Sequence, residues 1–135
     1  MTKKMLQQIR HYDSELRLLR KHLAELEDSI GISSPNLDGL PRGSRIGNPT
    51  EQQAIALAEA RADTIMKIRM LEERIQIERD RVWNYITTIP DSTMRQIVIL
   101  RFIDGKSWFK VSEGIGGDAT EEGCRKAFER FFNDD

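Results

Sequence analysis

The chain has 135 residues and a single cysteine, Cys124, so no internal disulfide can form and a reducing compartment is expected. It has two histidines, His11 and His22. On one helix they would stand about 16 Å apart, too far to share a metal. Nowhere does an apolar run approach the ~20 residues that span a bilayer. The start, "MTKKMLQQIRHYDSEL", lacks the continuous apolar stretch of a secretion signal. A cytoplasmic protein is therefore expected, with no membrane partner. Charge of one sign is also lacking: the net charge is −1, so no global basic field draws in nucleic acid. Splitting the chain does not create one. Residues 1–90 hold 14 Lys and Arg against 13 Asp and Glu, and residues 91–135 hold 7 against 9. Any nucleic-acid contact must come from a local patch.

Charged residues are abundant, at 32%, which suits long solvated helices. Over residues 3–30, Met5, Ile9, Tyr12, Leu16, Leu19, Leu23, Leu26 and Ile30 step by four and three in turn. That is a heptad stripe, which needs a partner helix because so narrow a face forms no core alone. Residues 31–49, "GISSPNLDGLPRGSRIGNP", break helix and strand alike. Arg42 and Arg45 lie among these glycines, where they either touch phosphate or stand in solvent. A second long helix is expected over 49–89, with Asn48 as cap, Pro49 at the first position and Glu51 at the third. Leu57, Ile65, Ile68, Leu71, Ile75, Val82, Ile86 and Ile89 form its apolar face, and Pro90 ends it. The two helices would be about 42 and 60 Å long. They pair antiparallel, and the surplus of the second must kink, pack on the C-terminal segment, or meet another chain. The last option implies a homodimer through the N-terminal helices.

The C-terminal segment reads as three short helices. Asp91 or Ser92 caps the first, which runs to Asp104 with Met94, Ile97, Val98, Leu100 and Phe102 as apolar contacts. Gly105 suits a left-handed end cap. Ser107 caps "WFKVSEGI", whose Trp108, Val111 and Ile115 face inward. Gly116 and Gly117 make the next turn, and Thr120 caps the last helix, with Glu121 and Glu122 at its positive dipole end. At 100° per residue, Cys124, Phe128 and Phe131 share a core face with Ala127 beside them. Glu122, Gly123, Lys126, Glu129 and Arg130 fall on the other face, with Arg125 on the flank. The pattern matches a helix-turn-helix whose last helix enters the major groove of double-stranded DNA. Arg125, Lys126 and Arg130 are then candidates for base or phosphate contact, Lys106, Ser107 and Lys110 for phosphate, and Glu122 for a cytosine amino group. Cys124, on the apolar face, reads as a core residue and not a nucleophile. The glycine stretches lack the lysine of a P-loop, and no enzyme signature or cofactor site is found.

The segment "PDSTMRQIVILRFIDGKSWFKVSEGIGG" resembles region 4 of the sigma-70 family, especially the small phage regulators of the RinA and ArpU type. Within "RQIVILRFIDGKSWFKVS", Phe102 stands in a tyrosine place and Ser112 in an alanine place. "GGDATEEGCRKAFERFF" is similar to the ending of some members, with Gly123 and Cys124 in place of a polar residue and valine. "LPRGSRIGNPTEQQ" corresponds to their glycine loop, so the resemblance covers nearly the whole chain. It implies a phage or prophage gene activator that works with host RNA polymerase in the bacterial cytoplasm. It places Thr120, Glu121, Glu122, Arg125, Lys126 and Arg130 in the recognition helix and Ser107, Trp108 and Lys110 in the helix before it.

The expectation is an all-α protein: a long antiparallel, coiled-coil-like helical hairpin over 1–90, then a helix-turn-helix over 91–135. Two other readings stand beside the DNA-reading regulator. One is a protein-interaction module that binds a host protein through its helices without reading DNA. The other is a small terminase subunit, which also couples such a motif to a coiled coil.

Overall fold

The structure, a computed structural model, describes residues 1–31 and 50–133. Among them every regular element is helical: α1 (Lys3–Ile30), α2 (Glu51–Ile86), α3 (Ser92–Val98), a π-helical turn (Ile99–Ile103), α4 (Trp108–Ile115) and α5 (Glu121–Asn133). None of these helices is long and apolar enough to cross a membrane. Arg42, Arg45, Asn48 and Pro49 lie outside the described residues. The described start of α2 is capped by Thr50. Its Oγ1 accepts from the Gln53 backbone N–H at 3.2 Å, while Gln53 Oε1 accepts from the Thr50 N–H at 3.0 Å. This reciprocal box satisfies two of the donors that a helix start leaves open.

The chain divides into two compact units, residues 15–72 and residues 1–14 with 73–135. In the first, α1 and α2 run antiparallel, since Arg20 pairs with Glu72 at 3.7 Å and Glu27 with Arg61 at 3.5 Å. Leu16 and Ile68 are buried, and Leu19, Leu23, Leu26, Leu57, Ile65 and Leu71 are half-buried. The predicted surplus of α2 appears at its N-terminal end, where residues 51–60 are exposed apart from half-buried Leu57.

The second unit holds the main core. Leu6 and Ile9 of α1, Val82 and Ile86 of α2, and Ile89 pack with Met94, Ile97, Val98, Phe102, Val111, Cys124, Phe128 and Phe132. Two positions correct the expected faces. Leu6, not Met5, is buried at the start of α1, because α1 there contributes to a core shared with α3, α4 and α5 and not to a two-helix seam alone. In α5 Phe132 is buried and Phe131 only half-buried. Phe131 instead meets the ring of Phe132 edge-on at 5.0 Å.

α2 stops at Ile86, three residues before the expected end. Thr88 N–H and Ile89 N–H bond back to Tyr85 and Ile86 carbonyls, tightening the last turn, and the Thr87 and Thr88 hydroxyls donate to Asn84 and Tyr85 carbonyls. These bonds take the carbonyls that a helix end leaves open. Asp91 caps α3 by accepting from Thr93 and Met94 N–H groups at 3.3 and 3.2 Å. The helix expected to reach Asp104 changes pitch at Ile99. Asp104 N–H donates to Ile99 O at 2.9 Å, five residues back, and the wider turn still buries Phe102. Gly105 then takes φ +69°, the left-handed conformation that ends the run.

Phe128 is buried against Phe102 at 5.3 Å, Phe132 at 4.8 Å and Trp108 at 5.6 Å between ring centroids. Aromatic pairs of this kind add about 0.5–1.5 kcal/mol each beyond their buried area. Phe128→Ala is expected to destabilise the chain by about 3–5 kcal/mol in urea denaturation followed by circular dichroism. A loss below about 1 kcal/mol would show that the ring cluster is not the core.

Candidate nucleic-acid interface

α4 and α5 are positioned by their caps and by one ring contact. Ser107 is the N-cap of α4, and its Oγ accepts from Lys110 N–H at 3.3 Å. Gly116 and Gly117, both at positive φ, turn the chain between the helices. Thr120 caps α5, its Oγ1 accepting from Gly123 N–H at 3.0 Å. Gly123 has a reason to lack a side chain: a Cβ there would stand 2.8 Å from Thr120 Oγ1. The hydroxyls of Ser107 and Thr120 are thus committed to the backbone of their own helices.

The other predicted residues fall into two groups. On α5, Glu122 pairs with Arg125 at 2.9 Å and Lys126 at 3.7 Å, all three exposed. Arg130 is exposed on the same helix. Lys106, Ser107 and Lys110 are exposed together at the start of α4. No hydrogen bond or ion pair joins the two groups among the described residues. Glu129, read on the polar face, is half-buried and held by Lys3 of α1.

Two residues that sequence spacing did not single out shape this region. The Arg101 guanidinium lies 4.7 Å over the Trp108 ring and donates to Lys106 O at 3.0 Å. Arg10, from α1, donates to Arg101 O at 3.1 Å and to Lys106 O at 3.4 Å. The backbone at Lys106 is therefore clamped by two arginines. Burial, and then the neighbouring Arg10 charge, push the Arg101 pKa down to about 10, so the group keeps its charge at neutral pH. Nothing in local periodicity links Arg10 to Lys106, 96 positions away. Phe109, on α4, is a third such residue and is exposed.

Burial also raises the Cys124 thiol above its ordinary range, which disfavours the thiolate. Among the described residues no three His, Cys, Asp or Glu side chains come together as a metal site. Comparison with protein-family models, with curated proteins and with solved structures returned no match.

Thr120→Ala is expected to cost about 1 kcal/mol in urea denaturation, by removing the cap of α5. Thr120→Ser, which keeps the hydroxyl, is expected to restore most of it. Cys124 is expected to react with a disulfide reagent at neutral pH only as fast as the chain opens. The neutral thiol is favoured by folding, so this contribution holds below the thiol's unfolded pKa and is lost as pH rises through its raised folded value. Immediate stoichiometric labelling of the native chain would contradict the buried placement.

Proposed function

We propose that the protein is a sequence-specific DNA-binding transcription regulator of phage or prophage type that acts with host RNA polymerase. In this reading α4 and α5 form a helix-turn-helix, and α5 lies in the major groove. The observation that carries it is the split of α5. One side is buried through Cys124, Phe128 and Phe132, while Arg125, Lys126 and Arg130 are exposed. Those side chains have the donors that guanine edges and phosphate oxygens accept. Lys106 and Lys110, at the capped start of α4, add two cations suited to the phosphate backbone. The clamp of Arg10 and Arg101 on Lys106 O supports the reading, since phosphate contacts position a reading helix only when their backbone is held.

One observation favours a second reading, a protein-interaction module that does not read DNA. Glu122 already neutralises Arg125 and Lys126 within the helix. A complex with polymerase that forms equally well without DNA would favour it.

The test is selection of bound fragments from sheared genomic DNA, followed by fluorescence anisotropy on a recovered duplex. Affinity is expected to fall steeply with salt as counterions are released. Arg125→Ala with Lys126→Ala is expected to weaken specific binding by about 1–3 kcal/mol per lost bidentate contact, with the fold unchanged by circular dichroism. Unaltered affinity in the folded double variant would sink the docking of α5.

A further inference from the structure

The apolar stripe of α2 carries a buried acid near its C-terminal end. Between buried Ile75 and Val82 stands Glu78, whose side chain is only 10% exposed. A carboxylate in that place loses its hydration and persists only where cations replace it. Arg74 Nε does so at 3.4 Å and Arg81 Nη1 at 3.1 Å. Both arginines remain more than half exposed. A guanidinium carries five N–H donors in a rigid plane, so each fork keeps donors beyond the one turned to Glu78. The buried carboxylate thus holds two arginines in place at the surface.

Arg74, Glu78 and Arg81 line a groove of about 290 Å³, whose opposite wall from α1 includes Lys4, Met5 and Tyr12. Met5 is 42% exposed. Ile77, 48% exposed, stands outside the lining, three residues after Arg74 and four before Arg81. Three cations meet one carboxylate here, in a chain whose net charge is −1.

We propose that this groove docks an acidic amphipathic helix of a partner protein. Apolar side chains of such a helix, spaced three and four apart, cover Met5 and Tyr12. Its flanking carboxylates take the outward donors of Arg74 and Arg81, which suit bidentate recognition. A phosphate backbone would use the cations and leave Met5 and Tyr12 uncovered, so the lining favours a protein over a nucleic acid. The groove uses residues of α1 and α2 and none of α4 or α5. It is therefore independent of the DNA reading, and it gives the protein-interaction reading a surface.

The probe is a labelled synthetic helical peptide with leucines at i, i+3 and i+7 and glutamates flanking them, titrated against the full chain by anisotropy. Saturable binding is expected. It should weaken roughly tenfold or more when Arg74→Gln and Arg81→Gln are combined, because charge-assisted bonds are lost. The same loss is expected when the peptide glutamates become glutamines. Arg125→Ala with Lys126→Ala should leave it unchanged, which separates this site from the DNA reading. The double arginine variant leaves Glu78 unpaired and can fail to fold, so Glu78→Leu is added to it, which restores the apolar stripe. A native chain that does not bind the peptide overturns the proposal, as does a folded triple variant that binds it equally well. A random duplex whose binding falls in the triple variant while the peptide's does not would make the groove a nucleic-acid surface, and also overturns it.

Discussion

Phe128 is the ring on which the C-terminal helices meet. α3 has 7 residues and α4 has 8, lengths at which an isolated helix does not form in water. Their helicity depends on burying Met94, Ile97, Val98 and Val111 in a shared core. Phe128 joins that core across the helices by meeting Phe102 after α3, Trp108 at the start of α4 and Phe132 within α5. The consequence reaches the surface by a short path. Trp108 carries the Arg101 guanidinium over its ring, and Arg101 holds the carbonyl of Lys106. The backbone that presents Lys106 and Ser107 is thus tied, through two residues, to the centre of the core.

Two buried or part-buried charges are handled in opposite ways. Glu78 replaces an apolar residue in a helical stripe and is neutralised by two arginines of its own helix. Among the described residues no carboxylate pairs with Arg101. Its Nη1 donates to a carbonyl and its plane lies over a ring, while its buried Nε has no hydrogen-bond partner among the described residues, and a second arginine lies close enough to lower its pKa. A guanidinium tolerates this because its charge is delocalised and weakly hydrated. A lysine in the same place would lose the plane that stacks. The arrangement therefore specifies arginine at position 101 and not merely a cation.

Most of the helical layout was legible because it rests on local signals. α1 begins and ends where its stripe does, and the caps at Asp91, Ser107 and Thr120 stand where short polar residues precede apolar ones. The deviations come from partners that periodicity does not report. Met5 fits the heptad, but Leu6 faces the shared core of several helices. Phe131 fits an ideal wheel, but the closing turn of α5 places Phe132 inside. The π turn at Ile99 has no local signature, because it is the packing of Phe102 that the wider turn preserves. Of the candidate site, the residues on each helix were legible. The arginine clamp from Arg10 was not, since it joins residues far apart in the chain. Nor was the pairing of Glu122 with both Arg125 and Lys126 assigned, although helical spacing allows it.

The acids at the start of α5 bear on how such a helix can meet an anion. A helix N-terminus ordinarily attracts phosphate through its open N–H groups and its dipole. Here Glu121 and Glu122 occupy that end, and Thr120 takes the Gly123 N–H. The positive end of α5 is therefore already matched by its own side chains. In the proposed role, contact with a polyanion would fall to Arg125, Lys126 and Arg130 further along, and to Lys106 and Lys110 at the start of α4. The ion pairs with Glu122 oppose this only weakly, because exposed pairs of this kind are worth about 0.2–1 kcal/mol each. A phosphate or a base edge that offers Arg125 two acceptors outcompetes one solvent-screened carboxylate. In the proposed DNA-reading role, the acidic first turn would thus limit where α5 meets an anion more than whether it could, so near-neutral charge is compatible with that proposal.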